Sequence, residues 1–256
     1  MTIIAPPVAC QSAGMWGDLE EPGALHSFLD AAAELGFAGV GLFDTHLRPY
    51  RDRPDALRAD LGTRNLELVA VDVFLDDNDA YVIGLANVLA QAGCGLLVLI
   101  GGQGTTDDEF RAVACRLNAI GAAAAGIGVT AVYHHHSETI ATTEGQVERL
   151  MALIDPRCVA LLADTGHIAQ DMAVTPDDFI RRHATRLRLV EFKDYAPARG
   201  LGYELGRGRV DFAAVTRALD EIGYGGWIMI EQNETGLTPR ESAALSRAYL
   251  RDTFGW

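Results

Sequence analysis

Residues 159–167 read Val-Ala-Leu-Leu-Ala-Asp-Thr-Gly-His, five apolar residues running without a break into a carboxylate, a hydroxyl, a glycine and an imidazole. An apolar run that does not alternate predicts a strand buried on both faces, as in a parallel sheet. Its polar ending would then sit at the carboxyl end of the strand. The pattern recurs outward in both directions. Candidate strands fall at Ile3–Ala9, Val40–Phe43, Leu66–Val73, Leu96–Ile100, Thr130–Tyr133, Val159–Ala163, Leu187–Phe192 and Trp227–Glu231. Between them, Leu25–Leu35, Tyr81–Ala92, Asp107–Ala125, Gln146–Ile154, Phe212–Ile222 and Ser242–Thr253 are helix-prone, and Phe212, Val215 and Leu219 show the spacing. Gly36, Gly93, Gly126 and Gly223 are placed to close a helix before the next strand. Eight strands in 256 residues fit an α/β chain folded as a (β/α)8 TIM barrel, which typically takes roughly 250. One domain over residues 1–256 is expected. A doubly wound open sheet is the rival, but no GxGxxG follows the first strand.

With 49% hydrophobic and 22% charged residues, the composition is that of a globular chain rather than a disordered one. A net charge of −14 argues against nucleic acid and anionic lipid as general partners. No apolar run approaches the roughly 20 residues that span a bilayer. The N-terminal MTIIAPPVACQSAG lacks the basic start and apolar core of a signal peptide, so a cytoplasmic protein is expected. Cys10, Cys94, Cys115 and Cys158 form no CxxC pair and read as buried free thiols.

If the barrel is right, the residues that finish each apolar run share one face of the molecule. The fifth strand ends Tyr133-His134-His135-His136, the sixth Asp164-Thr165-Gly166-His167, the seventh Glu191-Phe192-Lys193-Asp194 and the eighth Glu231-Gln232. Charged groups at the end of a buried strand cost desolvation unless they pair or bind a cation. His134, Asp164, Glu191 and Glu231 would make an oxygen-rich shell for one divalent metal ion. Mn²⁺, Co²⁺ or Mg²⁺ suits such a shell best, and Zn²⁺ is also admitted. The competing reading is a structural ion-pair network in which Lys193 pairs with Asp164, Glu191 or Glu231 and the histidines are core or surface groups. The metal reading is preferred because unneutralised carboxylates converging at one level would repel one another.

These residues resemble the xylose-isomerase-like barrel superfamily, which contains sugar-phosphate isomerases and epimerases, inosose dehydratase and an apurinic endonuclease branch. The resemblance is best from about Gly128 to Gln232. It rests on Asp164-Thr165-Gly166-His167, on Glu231 after Gly226-Trp227-Ile228-Met229-Ile230, and on Gly206-Arg207-Gly208-Arg209-Val210-Asp211-Phe212. Tyr133-His134-His135-His136, with Thr143 and Arg149-Leu150-Met151, looks most like inosose dehydratase. The superfamily typically holds its metal with Glu, Asp, His and Glu from strands five to eight. Here His134 stands where the first Glu is usual and Glu191 where the His is usual, so the count of one imidazole and three carboxylates is kept.

The resemblance implies removal of a proton next to the carbonyl of a polyhydroxylated substrate, a sugar, keto-sugar or cyclitol, through an enediolate. Loss of hydroxide then makes a lyase, a dehydratase; return of the proton makes an isomerase or epimerase. The dehydratase is preferred on the Tyr-His-His-His motif. Glu231 is the first candidate for base and ligand together. His136 and His167 would bind substrate or shuttle protons, and Lys193 would steady negative charge. Glu138, Asp44, His46, Arg207, Arg209 and Trp16 are weaker candidates, each with an ordinary surface, cap or core role as the alternative. An endonuclease role is disfavoured by the charge and by too few ligands for three zinc ions. A non-catalytic barrel subunit with a degenerate site stays open, as does a homo-oligomer.

Overall fold

The computed structural model describes residues 5–12, 16–17, 19–75, 78–233 and 235–256. Seven parallel strands come first: β1 (Val8–Gln11), β2 (Gly39–Phe43), β3 (Glu67–Leu75), β4 (Leu96–Gly101), β5 (Thr130–His134), β6 (Val159–Asp164) and β7 (Leu187–Phe192). A short antiparallel hairpin, β8 (Asp194–Ala196) and β9 (Gly200–Tyr203), follows, and β10 (Trp227–Ile230) is the eighth barrel strand. β10 lies between β7 and β1, with Val8 opposite Ile228, and so closes the barrel. The register slips by one residue at two places, between Val40 and Gly41 of β2 against β3, and between Leu161 and Leu162 of β6 against β7.

Two apolar layers hold the fold. Inside the barrel, Ala9, Val69, Ala70, Val98, Ile100, Val132, Ala160, Leu162, Leu189 and Met229 form one buried cluster. The alternate strand residues, among them Leu161, Ala163, Val190 and Phe192, pack outward against the helices. Those helices are α1 (Pro22–Glu34), α2 (Pro54–Gly62), α3 (Asp79–Ala92), α4 (Asp107–Ala125), α5 (Glu144–Leu153), α6 (Thr165–Asp171), α7 (Pro176–Arg182), α8 (Phe212–Glu221) and α9 (Pro239–Phe254). α4 shows how locally they are specified. Thr106 and Glu109 form a reciprocal capping box, three acids occupy the first turn, and Phe110, Ala114, Leu117, Ile120 and Ala124 make the buried stripe. Gly121 lets that stripe approach the carbonyl of Cys158, with which a Cβ would collide.

The strands and helices expected from the sequence are present, with three kinds of correction. The first strand was expected at Ile3–Ala9 but runs Val8–Gln11; Pro6 and Pro7 lack the N–H a ladder needs, and Ile3 and Ile4 lie outside the described residues. Short elements went unread: α2, α6, α7, the hairpin and a 3-10 helix at Asp44–Tyr50, each too brief or too polar to show periodicity. Cys10 and Cys94 are buried free thiols as expected, whereas Cys115 is exposed and Cys158 partly so. Among the described residues no helix is long and apolar enough to cross a membrane.

Candidate metal centre

The inward residues change from apolar to ionisable on passing up the strands. Val132 is followed two residues on by His134, Leu162 by Asp164, Leu189 by Glu191 and then Lys193, Met229 by Glu231, and Ala70 by Asp72. All of these polar groups are buried. Nε2 of His134 lies 3.5 Å from Oδ2 of Asp164, and Nε2 of His167 lies 3.7 Å from the same oxygen. Donor atoms of His134, Asp164 and His167 fall within 4.8 Å of one another, a grouping that could hold a metal ion. Lys193 Nζ stands 2.7 Å from Glu231 Oε1 and 3.3 Å from Asp164 Oδ2. The ion-pair network anticipated for Lys193 therefore exists, with Asp164 and Glu231 as its partners.

Each letter of Asp-Thr-Gly-His has a physical reason. Asp164 Oδ1 accepts the backbone N–H groups of Gly166 and His167 at 2.7 and 3.0 Å and so caps α6, which leaves Oδ2 facing the barrel axis. Thr165 ties β6 to the end of β7: its hydroxyl donates to the Lys193 carbonyl at 2.8 Å and accepts the Lys193 N–H at 3.0 Å. A Cβ at Gly166 would stand 2.7 Å from Lys193 Cγ, so only glycine lets the lysine stem through. His167 follows one turn along, with Nδ1 on Ser137 Oγ at 2.9 Å.

Asp194, beside Lys193, explains the glycine-rich turn. Its carboxylate accepts backbone N–H groups from Tyr195 (2.8 Å), Gly206 (3.0 Å), Gly208 (2.8 Å) and Val210 (3.1 Å). The turn is folded around that one side chain, and a Cβ at Gly208 would collide with it. Gly208→Ala is accordingly expected to cost about 2–3 kcal/mol in urea unfolding. A loss under about 0.5 kcal/mol, within the range of ordinary surface changes, would show that the turn gives way freely.

The electrostatics of the centre divide its acids into two kinds. Burial would raise Asp164 and Glu231, but the Lys193 ammonium holds both well below the usual carboxylate range. Burial and the charge of Glu231 push Glu191 and Asp72 well above it. Lys193 is itself raised, the pull of Asp164, Glu231 and Glu191 outweighing its burial. Burial drives His134 and His135 down. It also takes His136 to about 4, helped by His167, so that His136 is neutral at pH 7. Nδ1 of His136 meets the Ser137 carbonyl at 3.0 Å, which leaves Nε2 uncommitted by that bond. His136 lines a cleft of about 550 Å³ together with Phe74, Gly102 and Gln103.

The fit to a cation rests on buried polar atoms without hydrogen-bond partners. His134 Nε2, His167 Nε2, Asp164 Oδ2 and both oxygens of Glu191 are all in this state. Buried polar groups are ordinarily satisfied, and a cation would satisfy these together. The residues fit.

The weaker candidates sit elsewhere. Glu138 is exposed at φ 61°. Arg207 is exposed beside Glu204, and Arg209 lines a separate cleft with Asp177 and Tyr195. Trp16 packs edge-on against Phe28. Asp44 accepts from the Tyr81 hydroxyl at 2.5 Å, and His46 Nδ1 meets Ser12 Oγ at 3.0 Å. The sequence reading missed Asp72, Ser137 and Asp171. Asp72 had a signal, an acid inside the apolar run Leu66–Val73; Ser137 and Asp171 had none.

Barrel and site together define an α/β barrel with an acid–imidazole centre at the carboxyl ends of its strands. A model of the family described as xylose isomerase-like TIM barrel matches residues 29–253, and the chain belongs to that family. It is 32% identical to an inosose dehydratase of Lacticaseibacillus casei over 167 residues, 58% of this chain and 56% of that protein. The chain thus spans little more than half the length of that relative. It is 26% identical to an inosose dehydratase of Clostridium beijerinckii over 281 aligned positions, 93% of this chain and 94% of the relative. Its fold matches that of the IOLI protein, solved with a binding zinc atom, at a TM-score of 0.76, 17% identity and coverage of 96% of this chain and 97% of that one.

Proposed function

We propose that this chain is a divalent-metal-dependent dehydratase of the inosose dehydratase type. It would remove the proton next to the carbonyl of a keto-sugar or cyclitol and release water. The observation that carries this reading is the convergence of buried donor atoms without hydrogen-bond partners from His134, Asp164 and His167 inside the barrel mouth. The similarity to inosose dehydratases supports the substrate class.

His134, Asp164, Glu191 and Glu231 would hold the metal, with His167 offering a further nitrogen beside them. When bound, a divalent cation supplies Lewis acidity, lowering the cost of negative charge that develops at a substrate carbonyl. Glu231, kept ionised by Lys193, would take the proton from carbon. The Lys193 ammonium steadies the charge left on the substrate. His136, neutral at pH 7, orients a substrate hydroxyl at the cleft. Handing the Glu231 proton to the hydroxyl of the neighbouring carbon breaks its C–O bond and releases water. Returning it to carbon would isomerise or epimerise instead, so a product lighter by one water separates the two reactions.

Elemental analysis tests the reading. About one metal ion per chain is expected in the reconstituted protein and none in the His134→Ala, Glu191→Ala double variant. A protein that takes up no metal on reconstitution sinks the mechanism. Metal retained in the double variant removes those two residues from the ligand set.

A further inference from the structure

Ser137 links His167 to Asp171. Its Oγ lies 2.9 Å from His167 Nδ1, 2.5 Å from Asp171 Oδ2 and 3.0 Å from Gln170 Nε2. A serine hydroxyl has one proton to give and two lone pairs to receive with. A carboxylate oxygen accepts, and Asp171 Oδ2 accepts from the Ser137 hydroxyl at 2.5 Å. The single hydroxyl proton must therefore point at Asp171. Both lone pairs are then filled by donors, one by the Gln170 amide and one by His167, which makes Nδ1 of His167 the protonated nitrogen. Its Nε2 is left bare, buried and without a hydrogen-bond partner, 3.7 Å from Asp164 Oδ2.

We propose that Ser137 and Asp171 are positioning residues that lock His167 as the Nδ1–H tautomer and so aim its Nε2 lone pair at the space shared with His134 and Asp164. Without the serine, His167 could turn or exchange tautomer, and an Nε2–H would point a proton where a cation is to sit. The polarity of the chain is set from its far end. Asp171 lies on the last turn of α6 with its side chain 18% exposed, so the acceptor at the end of the relay is within reach of solvent. The proton on Nδ1 follows from the hydrogen bonds; the lone pair on Nε2 and its consequence for a metal rest on the function proposed above.

The test begins with metal-free, ¹⁵N-labelled protein at pH 7.5 and two-bond ¹H–¹⁵N correlations of its imidazoles, with His167 assigned by His167→Gln. The neutral Nδ1–H pattern is expected for His167. Ser137→Ala should lose that single pattern and bind Co²⁺ about 10- to 100-fold more weakly, and Ser137→Thr, which keeps the hydroxyl, should restore both. Asp171→Asn offers Ser137 a donor, frees the hydroxyl proton to turn toward His167, and should raise the Nε2–H population. An Nε2–H or doubly protonated His167 in the unsubstituted protein overturns the proposal without recourse to any variant. So does a Ser137→Ala protein with unchanged tautomer and unchanged Co²⁺ affinity. The expected tautomer in a protein that binds no Co²⁺ would uphold the relay and sink the metal reading instead.

Discussion

Asp164→Asn is expected to lower kcat/KM for the dehydration by about 10³-fold or more and to abolish stoichiometric metal binding, while the barrel stays folded. The two oxygens of Asp164 have separate tasks, which is why fold and activity should part company. Oδ1 caps α6 through two backbone N–H groups, and an asparagine carbonyl can keep both bonds. Oδ2 faces His134, His167 and Lys193, and the substitution puts an NH₂ there. The new donor can satisfy a bare imidazole nitrogen but leaves no anionic oxygen for a cation. Steady-state rates beside metal analysis and thermal unfolding check this. Activity within about tenfold of the parent would remove Asp164 from the chemistry.

Lys193→Met should cost about 3–5 kcal/mol of stability in chelator-treated protein near pH 7, because it strands two ionised carboxylates in the barrel. Methionine matches the stem well enough that the lost ammonium, not lost packing, dominates. The pH dependence identifies the cause. Asp164 and Glu231 have folded-state pKa values below their unfolded ones, so they contribute stability that is present above the ordinary carboxylate range and is lost as pH falls through their folded values. That contribution depends on Lys193. The variant's deficit should therefore be largest near pH 7 and shrink toward pH 4, where the orphaned carboxylates can take up protons. Urea unfolding of both proteins at pH 7 and pH 4.5 measures it. An equal deficit at the two pH values would mean that Lys193 serves packing rather than charge.

Much of this is legible in the sequence. The barrel followed from eight β-prone, mostly apolar runs, and the four acidic or imidazole strand ends followed from where the later runs stop. His134, Asp164, Lys193 and Glu231 are linked by contacts of 3.5 Å or less, while the donor grouping joins His134 and Asp164 to His167 rather than to Glu191 and Glu231. What stayed hidden depended on which neighbour a side chain chooses. Asp164-Thr165-Gly166-His167 could be noticed as a pattern, but that Thr165 brackets Lys193 and that Gly166 makes room for its stem are facts about β6 against β7. Gly206 and Gly208 were expected in a turn, yet the object they wrap, Asp194, is a dozen residues away. Ser137 and Asp171 join elements that no periodicity relates. Cys115 shows the reverse error: an apolar neighbourhood in sequence suggested burial, yet it lies on the open side of α4.

The two slips of register described for the barrel amount to counting by odd and even. On β3, Leu68 packs outward, yet Val69 and Ala70 both belong to the interior cluster. On β7, Leu187 packs outward and Leu189 inward, with Arg188 as the supernumerary residue. Strict alternation from Leu68 would have turned Asp72 toward the helices, and from Leu187 would have turned Glu191 and Lys193 the same way. One added residue in each strand reverses the parity of everything after it. Asp72, Glu191 and Lys193 join Asp164 and Glu231 inside the barrel because β3 and β7 are each one residue longer than a neighbouring strand requires.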